Sequence, residues 1–174
     1  MKKLVVILLF LCVCASLFAC SGKGDVTLTE DTFFYGMRTI QMYPDEYVGK
    51  KISFDCFTYR LTDTDGNEYL CGVRKCSAGY GCKCGKDSII GFILEYDEEI
   101  PEPKNQSVDT NDKTWIHVEG KLATADVTEL EIFAYDENGQ IDTSWREYVV
   151  FCTFAVSSLS RIEDASGLAY YVTK

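Results

Sequence analysis

The sequence is short of the residues on which acid–base and nucleophilic catalysis draw: one histidine, His117, serves all 174 residues. His117 lies in an alternating run, Thr114–Leu122, with Trp115 and Glu119 on its face and Ile116 and Val118 on the other. That pattern reads as a strand histidine satisfied by a neighbour. No Gly-x-Ser-x-Gly elbow, phosphate loop or dinucleotide fingerprint is present, so the chain reads as non-enzymatic. Positive charge is scarce too, with 17 Lys and Arg against 27 Asp and Glu. A surface with that balance repels phosphate backbones, which sets nucleic acid aside as a partner. Nor does any apolar run reach the roughly 20 residues that a membrane-spanning helix needs. There is no internal repeat and no long low-complexity segment.

What is present begins with an export signal. Lys2 and Lys3 precede an apolar stretch, Leu4–Phe18, which ends in Leu17-Phe18-Ala19-Cys20 before Ser21 and Gly22. This resembles the bacterial lipobox: residues 1–19 are expected to be removed as a lipoprotein signal peptide, leaving Cys20 as the lipid-bearing first residue. Cys12 and Cys14, by contrast, lie inside the apolar run. Two acyl chains on Cys20 would give stable anchoring at the extracytoplasmic face of the cell membrane. The leader carries two lysines and no acid, so its loss takes the net charge from −10 to −12. Residues 20–28 read as a lipidated tether and 29–174 as one domain.

Thr29-Glu30-Asp31 has the form of a helix start, with a capping hydroxyl and acids for the positive end of the dipole. Phe33, Met37 and Ile40 recur at helical spacing, predicting a helix to about Met42. Beyond Pro44 and Gly49 the period becomes two. Strands are predicted over about 51–60, with Ile52, Phe54 and Cys56 inward, and over 68–74 across an Asp63–Asn67 turn. Further strands are predicted over 88–96, 114–122 and 147–156, with a short one at 168–172. Gly91 marks a bulge or bend in the third of these. Residues 97–113 read as an acidic loop whose carboxylates form a solvated face, and 123–145 is ambiguous between a hairpin arm and a loop. One helix with at least five modest strands suggests a mainly β fold: a small five-stranded OB-like β-barrel with an N-terminal helix.

The run Tyr43-Pro-Asp-Glu-Tyr-Val-Gly-Lys-Lys-Ile-Ser-Phe-Asp-Cys-Phe-Thr-Tyr-Arg60 resembles the approach to the first strand of a bacterial OB-fold family of unknown function. The likeness continues through a cysteine-bearing segment from Cys76, through Gly91-Phe-Ile-Leu-Glu-Tyr96, and through Lys113-Thr-Trp-Ile-His-Val-Glu-Gly120. Members of the family are lipoproteins, or C-terminal domains of membrane proteins encoded beside predicted permeases. The resemblance implies the OB fold, a Gram-positive cell surface, and an envelope protein or permease as partner. A scaffold does not name a function. The leading expectation is a non-enzymatic binding module, for a partner or small ligand in envelope transport or assembly.

Six cysteines follow the lipid anchor. Cys56 and Cys152 sit on apolar strand faces and read as buried thiols or as one bridge between first and last strands. Cys71, Cys76, Cys82 and Cys84 fall within fourteen residues. In an exported domain the first reading is disulfides. Four thiolates would also suit a metal such as zinc, although the spacing lacks paired Cys-x2-Cys knuckles. Lys75, Lys83 and Lys86 would favour thiolates, and Cys82 with Cys84 would be the pair in a thiol–disulfide exchange protein.

Overall fold

The computed structural model describes residues 24–77, 87–106, 109–135 and 141–172. The elements in chain order are β1 (Val26–Leu28), α1 (Phe33–Met42), a 3-10 turn (Pro44–Glu46), β2 (Ile52–Thr62), β3 (Glu68–Ser77), β4 (Asp87–Glu95), β5 (Trp115–Tyr135), β6 (Ile141–Arg161) and β7 (Tyr171–Val172). The expected signal peptide, Cys20, Cys82 and Cys84 lie outside the described residues, as do residues 136–140 of the ambiguous stretch. Among those described, no helix is long and apolar enough to cross a membrane.

Helix α1 buries Phe33, Phe34, Met37 and Ile40, as the periodicity predicts. It begins at Phe33, however, and not at Thr29. The Thr29 N–H donates to Thr32 Oγ1 at 2.8 Å, and the Thr32 N–H donates to the Thr29 carbonyl at 3.1 Å, closing a separate turn. Glu30 does not serve the helix dipole; its carboxylate turns to Arg74.

Where a five-stranded barrel and a short further strand are predicted, seven strands among the described residues join in one sheet of order β1-β2-β5-β6-β4-β3-β7, with β2 also pairing β3. Two of the seven are short. Val26–Leu28, read from sequence as the end of the tether, pair in parallel with Ile52–Phe54. Tyr171 and Val172, within the short strand predicted at 168–172, pair in parallel with Lys75 and Cys76. The described parts of the ambiguous stretch 123–145 are strand: Val127–Tyr135 pair with Ile141–Cys152 as the two sides of a long arm. Residues 123–126 form an irregularity at its base, where Leu122 faces Phe154 but Val127 already faces Cys152. The Asp63–Asn67 turn forms as expected, with Gly66 at φ 87°, a left-handed conformation that glycine adopts without penalty. The Asp63 carboxylate accepts from Asp65 N–H, from Asn67 N–H and Nδ2, and from the Tyr69 hydroxyl.

Strand β2 explains why there are two apolar cores. Its even positions Ile52, Phe54 and Cys56 enter one core with α1, Phe92, Ile116, Val118, Cys152 and Phe154. From Phe57 onward the opposite face is buried as well: Phe57, Tyr59 and Leu61 join Cys71 and Val73 of β3, and Leu130, Ile132, Val149 and Phe151 of the arm. The arm therefore supplies the apolar cover that the second half of β2 requires, and Asp63 bridges to Ile132 where they meet. The C-terminal segment closes over Trp115, with Ile162 N–H on the Trp115 carbonyl and Asn111 Nδ2 on the Leu168 carbonyl, both at 2.9 Å.

Gly91 does not mark a bulge. The β3–β4 register is unbroken through Val73–Gly91. A Cβ at Gly91 would lie 2.0 Å from the Gly72 carbonyl oxygen, so glycine is required there by the close approach of β3.

Candidate functional site

Two exposed features of the sheet could carry function. The first is a polar row across β2, β5 and β6. Register places Asp55 opposite His117 and Ser53 opposite Glu119, with Ser160 and Ser158 beyond them on β6. His117 Nδ1 lies 2.6 Å from Asp55 Oδ1, and Lys51 Nζ 2.8 Å from Glu119. The neighbour that satisfies His117 is thus a cross-strand aspartate. The hydrogen bond and charge of Lys51 hold the Glu119 carboxyl below the usual range. All four side chains are roughly a third to a half exposed, so the row is open to water and its ion pairs are weak.

The second feature is the arm. Its inner side fills the second core, while Val127, Ile141, Trp145, Tyr148 and Val150 are exposed. Tyr148 is the most open of them at 66%. Between them stand Glu131 and Arg146, 3.0 Å apart, and the Tyr148 hydroxyl donates to Glu131 at 2.9 Å. Tyr59, Leu61, Thr62, Ile132, Phe133 and Ile141 line a cleft of about 30 Å³, room for a water but not for a solute.

The four cysteines proposed as one cluster do not all meet. Cys71 and Cys76 are five residues apart on β3, an odd spacing that sends them to opposite faces. Cys71 lies in the second core and Cys76 in the first. Two sulfurs so placed cannot close on one ion. Cys82 and Cys84 lie outside the described residues. Cys56, Cys71, Cys76 and Cys152 are buried and none is in a disulfide. Burial pushes the Cys71 thiol up to about 12, and it raises Cys56 and Cys152 as well, so at neutral pH all three are protonated and poor ligands. Among the described residues no three His, Cys, Asp or Glu side chains could hold a metal ion. Of the 95–102 carboxylates, Glu102 is taken by Arg60 at 2.5 and 2.7 Å.

Two charged residues went unnoticed in the sequence. Arg74 is 1% exposed and meets Glu30, the Asp55 carbonyl and the Ala169 carbonyl. Lys113 is nearly as enclosed, its ammonium on the Asn105 carbonyl and 5.5 Å from the Phe57 ring centre. Burial, with the charge of Lys75, lowers its pKa to about 8. A signal for Arg74 existed: it shares the inward parity of Gly72 and Cys76.

Residues 16–149 match the DUF1980 C-terminal domain. The chain belongs to that family. A curated relative is the UPF0703 protein YcgQ of Bacillus subtilis (strain 168), 31% identical over 107 residues. That match takes in 60% of this chain but 32% of the relative, so the chain spans about a third of the curated relative's length. No solved structure matches. The family match ends at residue 149 and so takes in the inner and outer faces of the arm through Tyr148, together with the polar row on β2 and β5.

Proposed function

We propose that the protein is a membrane-anchored surface lipoprotein, lipidated at Cys20, whose domain is a non-enzymatic binding module for a protein partner in envelope transport or assembly. The observation that carries this reading is the uneven spread of exposed apolar side chains. Among the described residues eight large hydrophobics are exposed, and five of them (Val127, Ile141, Trp145, Tyr148 and Val150) stand on the arm. Aromatic side chains beside an arginine, rimmed by Glu129 and Glu131, have the composition of a protein-contact surface. The acidity of the chain argues against nucleic acid as that partner.

The OB-like architecture belongs to the same proposal. The pairings β2–β3, β3–β4, β4–β6, β6–β5 and β5–β2 return to the strand they start from, and β4 pairs β6 in parallel. That circuit supports a five-stranded barrel carrying β1 and β7 as short additions.

The test is photocrosslinking from position 150, also exposed on the arm, in intact cells, with membrane fractionation and mass analysis of the mature N-terminus. A specific crosslinked protein, lost in Trp145→Ala and in Tyr148→Ala, is the expected result. A mature protein without diacylglyceryl on Cys20 would remove the anchor, and crosslinks unaffected by either substitution would remove the arm as the contact surface.

A further inference from the structure

A guanidinium only 1% exposed is expensive unless its hydrogen bonds are met. Around Arg74 the arrangement is lopsided. Its Nε–H donates to the Asp55 carbonyl at 3.0 Å and Nη1 to the Ala169 carbonyl at 3.3 Å, both fixed parts of the backbone. The flat group is flanked by the rings of Phe33 and Trp115, whose centres lie 4.6 and 5.2 Å from its central carbon. The remaining partner is different in kind. Glu30 reaches in from the solvent side, with its own side chain 37% exposed, and stands in a non-helical turn between β1 and α1. One carboxylate oxygen accepts from Arg74 Nη1 at 2.5 Å, and the other from the Ala169 N–H at 3.0 Å.

Two donors from different elements, each aimed at one oxygen, with the guanidinium itself held against two aromatic rings, make a receptor shaped for a carboxylate. We infer that Arg74 is the floor of a carboxylate-binding site which Glu30 occupies in cis, and that a single carboxylate side chain of a partner protein is the ligand that takes its place. The donors are set by β3 and by the C-terminal segment, so they persist when Glu30 leaves. What moves is the Thr29–Thr32 turn, held by hydrogen bonds among its own two threonines. Occupation by a partner's carboxylate therefore releases the start of the domain, which couples binding to the chain ahead of β1. The site is separate from the arm and does not depend on the anchor.

The probe is acetate, applied to the purified full-length chain in detergent at constant ionic strength, with chloride as the matched control. Trp145→Phe leaves Trp115 as the reporting indole beside Arg74. In that background Glu30→Ala should lower the thermal midpoint. Acetate should then restore it saturably while changing Trp115 emission, and chloride should do neither. Glu30→Ala with Arg74→Met should not respond to acetate. If Glu30→Ala does not fold in chloride, refolding in acetate takes over as the readout, and recovery of folded protein there supports the site. Equal recovery in chloride and acetate, or no recovery in either, overturns the proposal and leaves Glu30 as a structural ion pair only.

Discussion

Replacing Gly91 by alanine should damage the sheet more than its single methyl group suggests. A Cβ built at Gly91 lies 2.0 Å from the Gly72 carbonyl oxygen and 2.8 Å from the Val73 Cα. Comfortable carbon contacts lie near 3.5 Å, so the two strands must part by more than about an ångström. Both obstructing atoms are backbone, and Val73 is the residue that faces Gly91 in the β3–β4 register, so no side-chain rotation relieves the contact. The Gly91 carbonyl also accepts from Gln41 Nε2 at 2.8 Å, so its displacement loosens the last turn of α1. Overpacking of this kind costs about 1–3 kcal/mol. Against it stands a gain of about 0.4–1 kcal/mol from the stiffer unfolded chain. The net expectation is a loss of about 1.3 kcal/mol, or roughly 3–5 °C in thermal midpoint for a domain of this size. Gly167→Ala is the control, since nothing lies within 4 Å of its Cβ position. Urea and thermal melts of both variants measure the difference. If Gly91→Ala falls within about 0.5 kcal/mol of Gly167→Ala, the close-approach argument is wrong.

Four further expectations can be checked alongside. Thr58 Oγ1 is buried with no hydrogen-bond partner, so Thr58→Val should raise stability by about 1 kcal/mol in a urea melt. Lys113 titrates near 8 in the fold against an ordinary 10.5, so its penalty stands in full below pH 8 and fades as pH rises towards 10.5. Lys113→Met should therefore be the more stable protein at pH 7, by on the order of 1 kcal/mol after solvent screening, with the advantage shrinking by pH 10 in paired melts. Cys56, Cys71 and Cys152 should resist alkylation at pH 8 in the native protein and label fully in denaturant, as counted by mass; fast native labelling of Cys71 would contradict its burial. Tyr148→Ser should leave the melting curve nearly unchanged, because the side chain is 66% exposed, while reducing partner capture.

What could be read beforehand was governed by periodicity. The buried face of α1 and the inward row Ile52, Phe54, Cys56 were legible because each faces one core along its whole length. The pattern failed at Phe57, where the outer side of β2 is covered by an arm that begins some seventy residues later in the chain, and no local period encodes that cover. The helix start failed for a related reason: Glu30 answers to Arg74, 44 residues away, and not to the helix dipole. Of the four grouped cysteines, Cys71 and Cys76 were close in sequence only. With β3 running on to Ser77, the odd spacing of Cys71 and Cys76 separates them across the strand. For His117 the expectation of a neighbour was sound, but its identity as Asp55 depended on the β2–β5 register.

The bond between Glu30 and Ala169 spans 139 residues and joins nearly the first described part of the chain to nearly the last. Arg74 cannot be fully satisfied until Ala169 has been synthesised, and neither can Trp115 be covered before the segment after Ile162 exists. A nascent chain emerging N-terminus first would thus carry an unmet charge and an uncovered core until residues 162–169 appeared. Such a chain reaches its native state late, only after that segment has followed. For the exported chain proposed above, which would thread a narrow channel in extended form, that lateness keeps it threadable until residue 169 has been made.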